Sequence, residues 1–273
     1  MNPTIGVFDS GFGGLTVLRA LIEKLPRARF AFVGDTARLP YGSKSRRTIA
    51  RYAVESAQFL VREQGAEYLV IACNTASALA LDAIQQAVPV PVLGVIEPGA
   101  SAARHVSKTG DVLVIATDAT VRSQAYTSAC RAQGLRALEK ACPLLVPLVE
   151  EGWTDHPVTE EVIDIYLNEL RAEAWGRGLN PDTLVLGCTH YPLLRPVFER
   201  AVRPGVKVID SAEATAQVAA QIFNGCASAP ASEEDEETKI RFFATDSVEK
   251  FERLGSRFLG RPVGKVELLD LGG

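Results

Sequence analysis

The sequence has few of the residues that build metal and disulfide sites. Its 273 residues include only 3 His and 5 Cys, and no two cysteines form a C-x-x-C pair. A zinc site therefore lacks its usual ligand spacing, and we expect no metal. No basic segment leads into an apolar leader at the start of the chain. This favours a cytoplasmic protein, in which thiols stay reduced.

An excess of positive charge is also missing. Asp and Glu number 33 against 29 Lys and Arg, a formal net charge of −4. This balance argues against nucleic acid or an anionic membrane as the main partner. No apolar run has the length of a transmembrane helix. Hydrophobic content of 47% with 23% charged residues is typical of a globular protein of one large or two ordinary domains.

One phrase occurs in two versions. Residues 69–75 read LVIACNT and residues 184–190 read LVLGCTH, so that each apolar run leads to a small residue, a cysteine and two polar residues. Such runs predict buried parallel strands, whose carboxyl ends are the ligand-binding edge of open α/β sheets. We expect Cys73 and Cys188 to face one crevice. One alternative is that both are simply buried as small hydrophobes, and the repeated polar followers favour the crevice instead. A disulfide between them is a third option, which a reducing compartment disfavours.

Strands and helices alternate through the rest of the chain. The first strand leads into a glycine-rich turn, Gly11-Phe12-Gly13-Gly14, and a helix, an arrangement that binds small anions through backbone N–H groups. The alternation predicts parallel sheets with helices on both faces, and its restart at Asp111 indicates two similar α/β domains. An acid-rich stretch at 227–238 is predicted to be a surface loop. Besides the two cysteine strands, strands are predicted at 5–8, 30–33, 89–96, 112–115, 144–149, 206–209, 239–244 and 263–268.

Four motifs carry a resemblance to a known family. They are residues 9–17 (DSGFGGLTV), 40–42 (PYG), 73–76 (CNTA) and 187–192 (GCTHYP). In this order and spacing they resemble the cofactor-independent aspartate/glutamate racemase family, and DSGFGG is more similar to its glutamate racemases. The sequence departs from the family pattern at one position. Ala116 precedes Thr117 here, whereas the family usually has glycine at that position.

The resemblance implies two α/β domains with mostly parallel sheets flanked by helices, and an active site in the cleft between them. Residues 1–97 plus 207–273 would form the first domain and residues 98–206 the second. The implied activity is interconversion of L- and D-glutamate without a cofactor, which supplies D-glutamate for bacterial peptidoglycan. The expected partner is this small molecule. A homodimer that restrains opening of the cleft is an option that the sequence leaves undecided.

Racemisation needs an acid–base group on each face of the α-carbon. A thiol has an ordinary pKa of about 8.5, so both its forms are accessible near neutrality. Both cysteines precede predicted helices, whose N-termini lower the pKa of a thiol. In the resembling family Cys73 is the base towards D-glutamate and Cys188 the base towards L-glutamate.

The resemblance also assigns assisting roles to Asp9 and His190. The local alternatives are a helix cap for Asp9 and a satisfied polar residue for His190. Glu150 is a further candidate for binding the substrate ammonium or orienting His190, and the adjacent Glu151 is an alternative to it. We expect mainly neutral donors around the substrate, since these avoid burying an unpaired cation. The predicted binding set is Asp9, Ser10, Pro40, Tyr41, Gly42, Asn74, Thr75, Thr117, Thr120, Thr189 and His190.

Two other functions compete with this prediction. A sister racemase acting on aspartate or another amino acid would share the two-base apparatus. A non-catalytic binding module of the same fold is disfavoured, because such a protein should have lost a cysteine. Cys130, Cys142 and Cys226 lie in no motif and are predicted to be packing or surface residues.

Overall fold

The computed structural model describes residues 3–223 and 240–271, so the predicted acidic loop and Cys226 lie outside the described residues. The strands are β1 (Thr4–Asp9), β2 (Arg29–Gly34), β3 (Tyr68–Ile71), β4 (Val92–Gly94), β5 (Asp111–Ala116), β6 (Arg136–Ala141), β7 (Thr183–Gly187), β8 (Lys207–Asp210), β9 (Ile240–Ala244) and β10 (Val266–Leu268). The helices are α1 (Leu15–Lys24), α2 (Arg46–Arg62), α3 (Asn74–Ala87), α4 (Ile96–Val106), α5 (Asp118–Ser123), α6 (Ala125–Ala132), α7 (Leu145–Glu150), α8 (Pro157–Gly176), α9 (Arg195–Ala201), α10 (Ser211–Ile222) and α11 (Val248–Leu259).

Within these described ranges the strands form two sheets, in which every pairing is parallel. One has six strands in the order β10-β9-β2-β1-β3-β4, and the other has four in the order β6-β5-β7-β8. Every residue of β5 and β7 is buried, as expected of strands covered by helices on both faces. The predicted α/β fold with parallel sheets flanked by helices is confirmed. None of the described helices is both long and apolar enough to cross a bilayer.

A single apolar core connects the two sheets. Val7 of β1 and Ile115 of β5 belong to the same cluster of buried residues, together with apolar residues of α1, α8 and α11. The two sheets therefore pack against one shared core. The loops at their carboxyl edges contact each other, as described below.

The strand pairing bears on one boundary of the predicted domains. β8 pairs with β7, with Lys207 opposite Thr183, and α10 then packs against α1. A division before residue 207 would separate these paired strands. The two-domain division stays a prediction, and we propose that the return to the first domain follows Asp210.

One predicted strand is wrong. The run at 144–149 is apolar but forms the short helix α7. The strand of this region is β6, whose sequence RALEKA has charged residues at three of six positions. β6 is an edge strand and most of its residues are partly or fully exposed, so it lacks the apolar run that marks the central strands.

Candidate active site

The two cysteines lie at the same edge of their respective sheets. Cys73 follows β3 and forms the N-cap of α3, and Cys188 directly follows β7. Each has only 5% of its surface exposed, and both thiols are free. The repeated phrase of the sequence therefore forms two equivalent strand ends.

The Cys73 thiol makes two hydrogen bonds. Its Sγ lies 3.3 Å from the Ser10 hydroxyl, and the backbone N–H of Ala76 donates to it over 3.5 Å. Burial and, to a smaller extent, the negative charge of Asp9 raise the pKa of Cys73 to about 12, although the hydrogen bonds with Ser10 and Ala76 act to lower it. In this arrangement Cys73 is a thiol at neutral pH.

Asp9 is enclosed by the glycine turn. Its Oδ2 accepts a hydrogen bond from the Gly11 N–H over 3.0 Å, and its buried Oδ1 has no hydrogen-bond partner among the described residues. Burial raises the pKa of Asp9, and the N–H of Gly14 and the charge of His190 act against that rise. A Cβ at Gly14 would lie 2.5 Å from the Asp9 Cβ, so only glycine permits this close approach.

Two polar side chains, His190 and then Glu150, extend in sequence from Cys188. The His190 Nδ1 lies 4.0 Å from the Cys188 Sγ, and its Nε2 lies 3.3 Å from Glu150 Oε1. Burial alone would lower the pKa of His190, but hydrogen bonds with Cys188 and Glu150 outweigh it and raise the value to about 10. The imidazole is therefore protonated at neutral pH.

The contacts of His190 distinguish the two adjacent acids, Glu150 and Glu151. Burial acts to raise the pKa of Glu150, but the hydrogen bond and charge of His190, with the charge of Lys250, lower it overall. Glu151 is exposed at the C-cap of α7. Glu150 is thus the acid that contacts His190.

Hydroxyl groups join the loops of the two sheets. The Thr75 hydroxyl, from the six-stranded side, lies 2.9 Å from that of Thr117 and 3.2 Å from that of Thr120. The position of a Cβ on Gly42 lies 3.5 Å from the Thr117 Cβ. These predicted binding residues are therefore brought together around one small polar region.

The glycine turn and the second cysteine loop meet closely. A Cβ at Gly13 would lie 2.4 Å from the Thr189 hydroxyl oxygen and 2.6 Å from the His190 ring. The Thr16 hydroxyl, at the start of α1, donates to the Thr189 carbonyl over 3.0 Å. The loops that follow β1 and β7 are thus in direct contact.

Two predicted binding residues already have partners. The buried Tyr41 hydroxyl donates to the Asp35 carboxylate, and Tyr41 begins the short 3₁₀ turn Tyr41–Ser43. The Asn74 amide accepts from Tyr126 over 2.7 Å and donates to Ser211 over 3.4 Å. Pro40 is exposed, after a cis peptide bond.

Several neighbours of the site were not predicted. Asp35 follows β2 at the same sheet edge as Asp9, and this position after a strand was a usable signal. The rings of Phe12 and Phe258 pack against His190, and Lys250 approaches Glu150. Nothing in the local sequence of α11 indicates that Phe258 would contact His190 or that Lys250 would contact Glu150.

The remaining described cysteines lie in packed surroundings. Cys130 and Cys142 are fully buried, and burial raises the pKa of each to about 12. Over residues 3–223 and 240–271, no group of three His, Cys, Asp or Glu side chains is arranged to hold a metal ion.

Comparison with known proteins gives one consistent result. The model of the Asp/Glu/Hydantoin racemase family matches residues 5–219. A glutamate racemase of Koribacter versatilis is 54% identical, over 100% of this chain and 99% of the relative. The glutamate racemase isoform RacE1 of Bacillus anthracis superposes with a TM-score of 0.88 at 38% identity, over 98% of each chain. The enzyme of Francisella tularensis, solved with D-glutamate, superposes at 0.85 with 34% identity, over 99% of this chain and 98% of that one.

Proposed function

The chain belongs to the Asp/Glu/Hydantoin racemase family and is an amino-acid racemase, and we propose that it interconverts L- and D-glutamate. The family resemblance carried by the four sequence motifs is confirmed. The glutamate assignment is supported by relatives of full length that are named glutamate racemases, and by the D-glutamate complex of the Francisella enzyme. The product D-glutamate would serve peptidoglycan synthesis.

The observation that carries the mechanism is the paired placement of Cys73 and Cys188. Each ends an equivalent strand. The loop after Cys73 contacts the four-stranded side through Thr75 and Thr117, and the loop after Cys188 contacts the six-stranded side through Thr189 and Thr16. A substrate held between these loops would have one sulfur on each side of its α-carbon. One thiolate removes the α-proton, the electron pair is delocalised into the adjacent carboxylate, and the opposite thiol delivers its proton to the other face.

The side chains around each sulfur differ in the help they give. At Cys188, the protonated His190 stabilises a thiolate, and Glu150 keeps that imidazole charged and oriented. At Cys73, the Ser10 hydroxyl and the Ala76 N–H stabilise a thiolate that burial disfavours. Substrate binding must therefore overcome part of the burial effect at Cys73, for example through the positive charge of the ammonium group.

The substrate is proposed to be bound mainly by neutral groups. Thr75, Thr117 and Thr120 offer hydroxyls, and the turn at Tyr41 and Gly42 offers backbone N–H groups. Such donors hold carboxylates without burying an unpaired cation. No cofactor is part of this proposal.

The proposal is tested by α-proton exchange in deuterated water without added cofactor. We expect both enantiomers of glutamate to gain deuterium at the α-carbon and to racemise. Replacing both Cys73 and Cys188 by Ala should abolish exchange, while Cys130→Ala, a buried cysteine away from the site, should retain it.

Three outcomes would redirect the assignment. Turnover of aspartate but not glutamate would keep the mechanism and change the substrate. Undiminished racemisation by the double variant would remove both thiols from the mechanism. If the folded wild-type protein neither exchanges the α-proton of any amino acid nor racemises it, a binding function on this fold would be favoured.

A further inference from the structure

The His190 imidazole is held by rings from outside its own loop. The Phe258 ring lies 5.0 Å from it, centroid to centroid, at an interplanar angle of 77°, and the Phe12 ring lies 6.1 Å away. Phe258 is fully buried in α11, which packs against α1 and β10 beside the six-stranded sheet. The loop that contains Cys188 and His190 is therefore packed against a helix from the side of the six-stranded sheet.

A second residue of α11 contacts Glu150, the partner of His190. The Lys250 Nζ lies 3.8 Å from Glu150 Oε2 and 5.7 Å from the centre of the Phe12 ring. Its positive charge contributes to the low pKa of Glu150. Because the Lys250 side chain is 46% exposed, this contact is weaker than the packing of Phe258.

We propose that α11 positions the His190–Glu150 pair for Cys188, with Phe258 fixing the plane of the imidazole and Lys250 holding the Glu150 carboxylate. The imidazole has to present Nδ1 to sulfur and Nε2 to carboxylate at the same time. An edge-on aromatic contact restrains ring rotation, and a held carboxylate keeps the second partner in place. Both are positioning residues, and the inference rests on the proposed function.

The matched comparison is Phe258→Leu against Phe251→Leu. Both rings are fully buried in the same helix, but Phe251 packs against Phe32, at 5.9 Å, and not on the imidazole. We expect a similar loss of thermal stability from the two substitutions. Phe258→Leu should lower kcat about tenfold with KM nearly unchanged, whereas Phe251→Leu should stay within about twofold of wild type.

An isotope effect separates positioning from general damage. The equilibrium constant between enantiomers is unity, so kcat/KM has to fall equally in both directions. The deuterium isotope effect on kcat/KM should nevertheless rise with α-deuterated L-glutamate, for which the family resemblance makes Cys188 the base, and not with the D-enantiomer. A rise with both enantiomers, or with neither, contradicts the proposal.

Lys250 provides a test that avoids the core. Lys250→Met should reduce kcat about two- to threefold, and Lys250→Arg should retain the wild-type value. Arg253→Met, at an exposed position of the same helix, should have no effect. Equal losses at both positions would reject the role of Lys250.

NMR titration gives a readout without substrate. The chain has only 3 His, so the His190 ring signals can be assigned by substitution. The titratable groups that face this ring are Cys188, Glu150 and, through its charge, Asp9, and Lys250 lies beyond it at Glu150. In Phe258→Leu the midpoint should fall from about 10 towards its ordinary value, and in Phe251→Leu it should not. An unchanged midpoint in Phe258→Leu overturns the inference, and inactivity of the wild type leaves this measurement intact.

Discussion

At the scale of single residues, His190 links the charge of the site to the stability of the fold. Cys188 and Glu150 raise its pKa to about 10, against the burial that opposes them. The folded protein therefore holds this proton more tightly than the unfolded chain, whose value is about 6.5. The stabilisation is complete below about pH 6.5 and is lost as the pH rises towards about 10.

Glu150→Gln should weaken this dependence. The amide has no charge to stabilise the imidazolium, so the pKa of His190 falls and less stability is lost between about pH 7 and 10. We expect a shallower decline in the free energy of unfolding than in wild type, measured by urea denaturation with reductant present. Glu151→Gln, at the exposed neighbouring position, is the control and should follow the wild-type curve. Parallel curves for Glu150→Gln and wild type would contradict the assignment.

At the scale of elements, the turn between β1 and α1 and the loop after β7 fit together without spare room. A Cβ on Gly13 would lie 2.4 Å from the Thr189 hydroxyl oxygen, so Gly13→Ala has to push the two loops apart. We expect racemisation to fall by about 100-fold or more, because a displacement of about 1 Å suffices for such a loss. The loss of stability should be moderate, about 1–3 kcal/mol.

The control for this substitution is Gly176→Ala. Gly176 ends α8, and a Cβ there meets nothing within 4 Å. It should leave activity unchanged and alter stability by less than about 1 kcal/mol. Equal effects at Gly13 and Gly176, measured by kinetics and thermal unfolding, would show that the loops are not in tight contact.

The elements also show what the sequence could predict. β3 and β7 are recognisable because uninterrupted apolar runs mark strands buried on both faces, and their cysteines follow directly. β6 is not recognisable, since an edge strand with exposed charged residues has no such run. The contacts of Phe258 and Lys250 with His190 and Glu150 were beyond prediction, because they depend on how α11 packs and not on local sequence.

At the scale of the whole molecule, a ligand bound between the sheets should stabilise both together. At a concentration of about 100 times Kd it adds about 2.7 kcal/mol to the free energy of unfolding. Hydrogen exchange should slow at the start of α3, next to Cys73, and in the loop that contains Cys188. Racemic glutamate is the appropriate ligand because the enzyme would equilibrate either enantiomer, and aspartate, one methylene shorter, is the matched comparison. Protection confined to one of the two loops would argue against a shared site.

The chain passes between the sheets twice, at Val95 from β4 into α4 and at Asp210 from β8 into α10. Because α4 and α10 pack against each other, the two passages lie side by side. Two bodies joined by a pair of adjacent backbone segments retain rotation about the line through them and lose the freedom to slide. A rotation of this kind would change the gap between the Cys73 and Cys188 sulfurs and leave each thiol on its own side of a bound amino acid, as the proposed two-thiol reaction requires.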